Sequence, residues 1–401
     1  MKKALFAALV GGIAFTSCST DDDSVIPTNK VDVPETYSFT RDEQSTVSFD
    51  GQTTRLLMAG DLTAGFMTPE ATEEELSNMF SNENNPFSDE ALNTSSKSVK
   101  SKVAASTLYF GSNTVESNAI KDTFESWITE QATEVFPNWE VLAEAGVAGQ
   151  IAQGDKTRYV NAKGIELNQL FAKSLIGALL TDQILNNYLS QSVLDEGDNV
   201  ENNNNAVTEE GKSYTTMEHK WDEAYGYLVG HPSVSGADPM ISLSSNEDRL
   251  LFNYLQSVNS DSDFAGIAEE TFEAFKVGRA AIVAGDYELR DEQVAIIREN
   301  LSLVSAVRAI HYLQGGKVAI QNEDMGAAFH ELSEGLGFLY SLRFTHNPAT
   351  GEPYLAPEVI FGFQEQLMAG NGFWDVTPET LDSISEAIAT AFGITVAQAA
   401  E

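Results

Sequence analysis

The sequence predicts an all-α protein built as two related helical bundles in a pseudo-twofold repeat, with a short N-terminal β-hairpin. Three observations predict it. Apolar residues recur at helical spacing over most of the chain, and helix start and stop signals bracket those stretches. One pattern of ten residues occurs twice, as His219-Lys220-Trp221-Asp222-Glu223-Ala224-Tyr225-Gly226-Tyr227-Leu228 and as His330-Glu331-Leu332-Ser333-Glu334-Gly335-Leu336-Gly337-Phe338-Leu339. Both copies read His, three residues, Glu, two residues, Gly, an aromatic, Leu. The histidines are 111 positions apart, which suits one helix in two related halves of a large domain rather than a tandem repeat. Finally, a hydrophobic fraction of 42% over 401 residues is enough to bury two cores or one large one.

Taken in order, the chain opens with an export signal over 1–17: Lys2 and Lys3, then an apolar stretch over 4–15 too short to span a bilayer. Small residues precede Cys18, the one cysteine, so no disulfide within the chain and no cysteine-based zinc site is expected. An acidic, proline-containing linker occupies 18–36. The first helical half is placed at 37–194. It begins with an extended stretch at 46–49 that turns at Asp50-Gly51. Helices follow at 53–67, at 72–80 behind a capping-box-like Thr72-Glu73-Glu74-Glu75, at 118–136 up to Pro137, at 138–148, and at 161–194, bent near Gly177. The segment 81–99 reads as a loop. Leu170 to Leu180 is interrupted by Lys173 and reads as core. An acidic, asparagine-rich connection at 195–212 forms the flexible seam. The second half, 213–401, carries helices at 214–229, 245–258, 264–284, 291–314 ended by Gly315-Gly316, 325–343, 358–369 and 378–392.

The charge narrows the function classes. There are 23 Lys and Arg against 60 Asp and Glu, a formal net of −37. Nucleic-acid binding needs clustered cations and is disfavoured, as is adsorption to anionic membranes. A solvated surface suited to salty surroundings is the plain meaning of the acidity.

The repeated pattern carries the candidate chemistry. Residues four apart on a helix lie one above the other, so His219 shares a face with Glu223 and His330 with Glu334. Two such helices facing each other would converge two imidazoles and two carboxylates, a set suited to iron or zinc. Asp222, Glu218 and Glu331 would be additional or supporting ligands. The competing structural reading is an ordinary ion pair on each helix, worth about 0.3–0.5 kcal/mol. His231, before Pro232, and His346, in a proline-rich loop, are candidates for a haem axial ligand. Trp127, Trp139, Trp221 and Trp374 are candidates for a glycan platform. There is no His-Glu-x-x-His, no Gly-x-Ser-x-Gly and no phosphate loop, and no base beside an open metal position, so a metal-dependent hydrolase ranks low and no enzyme activity is expected.

The residues around Cys18 resemble a bacterial lipoprotein signal, with lipidation of Cys18. Ser19-Thr20-Asp21-Asp22-Asp23 resembles the signal that sends Bacteroidota lipoproteins to the outer face of the outer membrane. The two His-containing stretches, with Tyr37-Ser38-Phe39-Thr40-Arg41 and Gln52-Thr53-Thr54-Arg55-Leu56, resemble the lipoprotein family of domain of unknown function 4856 over nearly all of the mature chain. That resemblance implies a neighbourhood of imelysin-like proteins and TonB-dependent receptors and a role in iron or haem uptake. A more distant likeness is to imelysin, a two-bundle fold with a Gly-x-His-x-x-Glu motif. Here Met217 and Ala328 stand at the Gly position, and Asp222 and Ser333 at the Glu position. The resulting expectation is a surface lipoprotein that binds iron or an iron-containing ligand for outer-membrane uptake. The alternative is a metal-free scaffold that binds glycan or protein.

Overall fold

The computed structural model describes residues 31–400; the leader, Cys18 and the acidic run after it lie outside them. A small antiparallel hairpin comes first, β1 (Thr40–Arg41) against β2 (Gln44–Ser45). It lies earlier than the extended stretch expected at 46–49. Asp42 and Glu43 both take left-handed φ, 51° and 65°, and close a two-residue turn. The expected turn at Asp50-Gly51 is instead the first turn of α1 (Asp50–Gly65).

The first half continues with α2 (Glu73–Ser81), whose capping box between Thr72 and Glu75 is fully formed, then α3 (Glu90–Asn93), α4 (Thr107–Phe110) and α5 (Thr114–Glu130). The helix expected at 138–148 does not form. Beyond α5 the chain continues as a π-type turn, Gln131–Val135, and a 3₁₀ turn, Phe136–Asn138, that contains Pro137, and an antiparallel hairpin follows, β3 (Gly149–Gln153) with β4 (Lys156–Val160), turning at Gly154 with φ 54°. The long apolar segment becomes α6 (Leu167–Leu175) and continues as a wider, π-type helix over Ile176–Tyr188. The expected bend at Gly177 is this widening. Ser341 Oγ takes the N–H of Gly177 at 2.9 Å and diverts it from the regular ladder.

A short helix, α7 (Gln191–Leu194), precedes the seam, and the seam itself holds α8 (Asn199–Asn204). It is anchored at Asn203, while 204–207 and 210–212 are exposed. Asn203 is buried, donates to Ile282 O at 2.7 Å and accepts from Thr215 Oγ1 at 2.7 Å. The second half comprises α9 (Thr216–Val229), α10 (Leu251–Ser260), α11 (Ile267–Ala284), α12 (Tyr287–Gln321), α13 (Met325–Ser341), α14 (Pro357–Leu367), α15 (Pro378–Phe392) and α16 (Val396–Ala399). The stop expected at Gly315-Gly316 is overridden. A Cβ at Gly316 would lie 2.5 Å from Leu332 Cδ2, so these glycines let α13 lie close against a continuous α12.

The two pattern helices pack on successive parts of one long element: α13 on α6, and α9 on the π-type stretch. Helix α13 also lies along α12, and α9 against α1 and α11. Buried side chains from both sides of the seam, from Tyr37 to Ala399, form one continuous core. Among the described residues no helix is long and apolar enough to cross a membrane.

Candidate ligand site

The structure separates the two His/Glu pairs. Among the described residues no group of three or more His, Cys, Asp or Glu is placed to hold a metal ion, so the four expected ligands do not form one centre. Each already has protein partners. On α13, His330 Nδ1 bonds Glu166 Oε2 at 2.7 Å, and its Nε2 lies 3.7 Å from Glu334 Oε1. Glu334 faces Lys173 Nζ at 3.4 Å, and Glu166 faces Arg158 at 3.7 Å. The result is an alternating row, Arg158–Glu166–His330–Glu334–Lys173. Burial works to raise the Glu334 carboxyl, but Lys173, Tyr312 and His330 hold it below its ordinary value. Glu331 points at Gly315 of α12, and burial raises its pKa.

On α9 the pair differs. His219 stacks on Tyr214, ring centres 4.5 Å apart, and its Nδ1 is buried without a hydrogen-bond partner. Glu223 accepts from Gln52 at 3.1 Å and lies 3.4 Å from Lys220 Nζ. The expected supporting ligands serve a guanidinium instead. Arg279, fully buried, reaches Asp222 at 3.0 Å and Glu218 at 3.2 Å, and Arg41 adds two contacts to Glu218 at 2.9 Å. Tyr37 donates to Asp222 at 2.7 Å. This cluster ties the N-terminal hairpin to α9 and α11. Trp221 is also lost as a glycan contact: it is buried and donates to Phe275 O at 2.9 Å.

The row on α13 ends at a cleft. Its volume is ≈ 430 Å³, within the range of small-molecule sites. Helix α1 supplies Leu56, Leu57 and Asp61, and Met67 follows just beyond its end; α6 supplies Asn168, Gln169, Ala172 and Lys173. The turn after α9 adds His231, and the approach to α10 adds Glu247, Asp248, Arg249 and Leu250. An apolar floor is thus rimmed by charges of both signs. Lys173 Nζ donates to Gln169 Oε1 at 2.9 Å and lies 5.3 Å from the centre of the Tyr254 ring. Burial pushes the Asp248 carboxyl up, against the N–H groups of Leu250 and Asn253 and the nearby His231. His231 Nδ1 accepts the N–H of Ser233 at 3.2 Å and lies 2.7 Å from Ser233 Oγ. Of the two loop histidines singled out in the sequence, His231 thus lines this cleft. His346 lies elsewhere, against Asn186 at 2.9 Å, where burial and Arg298 depress its pKa to about 3.

Sequence reasoning missed Lys173 and Glu166 as partners of the pattern. The available signal was the lone lysine inside the apolar run 170–180. A larger cavity, ≈ 560 Å³, lies between α5, α13 and α14 and is lined by Trp127, Tyr340, Phe361 and Arg343. Its buried cation is committed to Glu116 at 3.2 Å.

The protein is helical, and the cleft is an amphipathic cavity of small-molecule size. The chain belongs to the family described as Domain of unknown function (DUF4856), whose model matches residues 34–395. No curated protein and no solved structure matches it.

Proposed function

We propose that this chain is a binding protein, not an enzyme, anchored by lipid at Cys18 to the outer membrane and facing the cell exterior. It holds an iron-containing ligand in the cleft between α1, α6 and the approach to α10, for transfer to a TonB-dependent receptor, with an imelysin-like protein as a further partner. One observation carries the reading: an apolar cleft of ≈ 430 Å³ rimmed by His231, Asp248, Arg249 and Lys173, the last fixed by the buried row on α13. No three metal-binding side chains gather among the described residues, so the ligand is a preformed complex that brings most of its own coordination rather than a bare iron or zinc ion. His231 suits an axial contact. Ligation through the Nε2 lone pair would place the proton on Nδ1, where Ser233 Oγ at 2.7 Å can accept it in exchange for the bond Nδ1 accepts from the Ser233 N–H.

The test is titration of the mature chain with haemin and with ferric citrate, followed by absorbance and calorimetry. Saturable binding is expected for one of the two, weakened at least about tenfold in His231→Ala and Lys173→Met, a loss of about 1.4 kcal/mol. Iron-free citrate and zinc should bind more weakly. Identical isotherms for wild type and both variants would overturn the reading. A metal-free glycan- or protein-binding scaffold is the second reading, favoured by the aromatic lining of the ≈ 560 Å³ groove, Trp127, Tyr340 and Phe361. It predicts loss of glycan binding in Phe361→Ala with the cleft variants unaffected.

A further inference from the structure

We infer that a second site, around the Tyr188 ring where α9 meets the π-type helix, binds a phosphate-type anion between the ammonium groups of Lys102 and Lys220. The first support is where the cations lie. The chain has 23 Lys and Arg in a net charge of −37, yet Lys97, Lys100 and Lys102 fall within one run of six residues. Lys102 Nζ lies 5.1 Å from the centre of the Tyr188 ring, and Lys220 Nζ lies 5.7 Å from the same centre. Arg55 of α1 is beside them, its Nε donating to Ser98 O at 3.1 Å. Lys97 and Arg55 both pack at Gly51, where a Cβ would lie 3.2 Å from Lys97 Cε and 3.7 Å from Arg55 Nη1. Facing these four cations is Glu223, held by Lys220 at 3.4 Å and Gln52 at 3.1 Å.

The second support is that the protein leaves this charge uncompensated. Lys102 is half-buried, and its pKa is pushed down to about 8, first by burial and then by Arg55, Lys220 and Lys97, against the pull of Glu223. The fully buried cations Arg279 and Arg290 are matched by carboxylates, Asp222 with Glu218 and Asp195 with Asp291, whereas the half-buried Arg298 has the Leu185 carbonyl. Here four positive groups share one carboxylate. His219, adjoining on α9, has a buried Nδ1 with no hydrogen-bond partner, so polar capacity is left unused as well. A compact anion carrying more than one charge would relieve the crowding, and a single carboxylate would relieve less of it. Lysines bind such groups as point charges. None of Lys102, Lys220 and Arg55 lines the cleft assigned to the iron-containing ligand, so the two sites are tested separately.

The experiment is calorimetry of the full mature chain with inorganic phosphate and pyrophosphate. Alongside it, the Lys102 side chain is titrated by NMR after ¹³C-dimethylation. A depressed lysine pKa means that its charged form is disfavoured, so an anion that stabilises that form must raise the midpoint. Saturable binding and a midpoint that moves up by about one unit or more with phosphate are expected. Lys220→Gln, a change at a partly exposed side chain, should weaken binding about tenfold; Lys102→Met should do the same, while Lys102→Arg should retain it. The site is refuted by an unmoved midpoint with no saturable heat, or by equal binding in Lys220→Gln. Vesicles of phosphatidylcholine with and without phosphatidylglycerol separate the sources. Co-sedimentation that Lys220→Gln abolishes assigns the phosphate to a lipid headgroup; phosphate binding without co-sedimentation assigns it to a soluble anion. Cleft binding should be unchanged in Lys220→Gln, which keeps the two proposals distinguishable.

Discussion

Arg279 is the side chain whose loss should cost most. It is fully buried and bridges Asp222, Glu218 and Thr46, so it joins α11, α9 and the N-terminal hairpin. Arg279→Ala would leave the buried Asp222 without a counter-charge, while Glu218 keeps Arg41. Removing one partner of a buried pair costs about 3–5 kcal/mol. Urea unfolding at pH 7.5 should show a loss of that order, and a loss below about 1 kcal/mol would mean that Arg41 alone suffices. The same cluster gives a pH dependence. Burial pushes Asp222 up to about 6 from 3.8, although Arg279 and Tyr37 oppose it. A raised carboxyl contributes stability that is complete below the unfolded value and is lost as pH rises through about 6. Asp222→Asn lacks this titration. The stability of the wild type relative to Asp222→Asn should therefore grow as pH is lowered from about 7.5 to 5.

At the scale of elements, the repeated pattern builds close helix contacts first. Gly337 is the clearest case: a Cβ there would lie 2.5 Å from Lys173 Cβ and 3.0 Å from Leu170 O. Gly337→Ala should push α13 off α6, costing about 1–3 kcal/mol as overpacking does. Because Lys173 is the residue displaced, cleft binding should weaken together with stability, read by titration and thermal unfolding on the same sample. Unchanged binding in a destabilised variant would separate the pattern from the cleft. The equivalent glycine on α9, Gly226, meets Phe49 and Gln52 instead, so the two copies keep the same small residue against different neighbours.

At the scale of the whole molecule, a net charge of −37 sits around one continuous apolar core. That balance keeps the surface solvated and makes the cationic ring around Tyr188 stand out. The proposed address is a property of the same scale. Cys18→Ala should move the protein out of the outer-membrane fraction, and replacing Asp21, Asp22 and Asp23 by Ala should leave it lipidated but shielded from added protease. Membrane association that survives loss of Cys18 would remove the anchor, and unchanged protease exposure would reduce the acidic run to a tether.

The sequence alone determined the helical class, the places of most long helices and the existence of a shared pattern. These rest on local information: apolar periodicity and caps such as Thr72 with Glu75. It also singled out His231 as a candidate axial ligand. What it misread depended on neighbours distant in the chain. Gly315 and Gly316 looked like a helix end, yet α12 runs through them because Glu331 and Leu332 of α13 fill the space a side chain would take. The stretch 138–160 looked helical in part, but its hairpin lies against α13, with the carbonyl of Ala152 where a Cβ on Gly326 would be. His219, Glu223, His330 and Glu334 had the right spacing to share an ion along each helix. Only packing decided that Glu166 and Lys173 would take one pair and that Gln52 and Lys220 would engage Glu223 of the other, because spacing fixes which side chains share a face and not what that face meets.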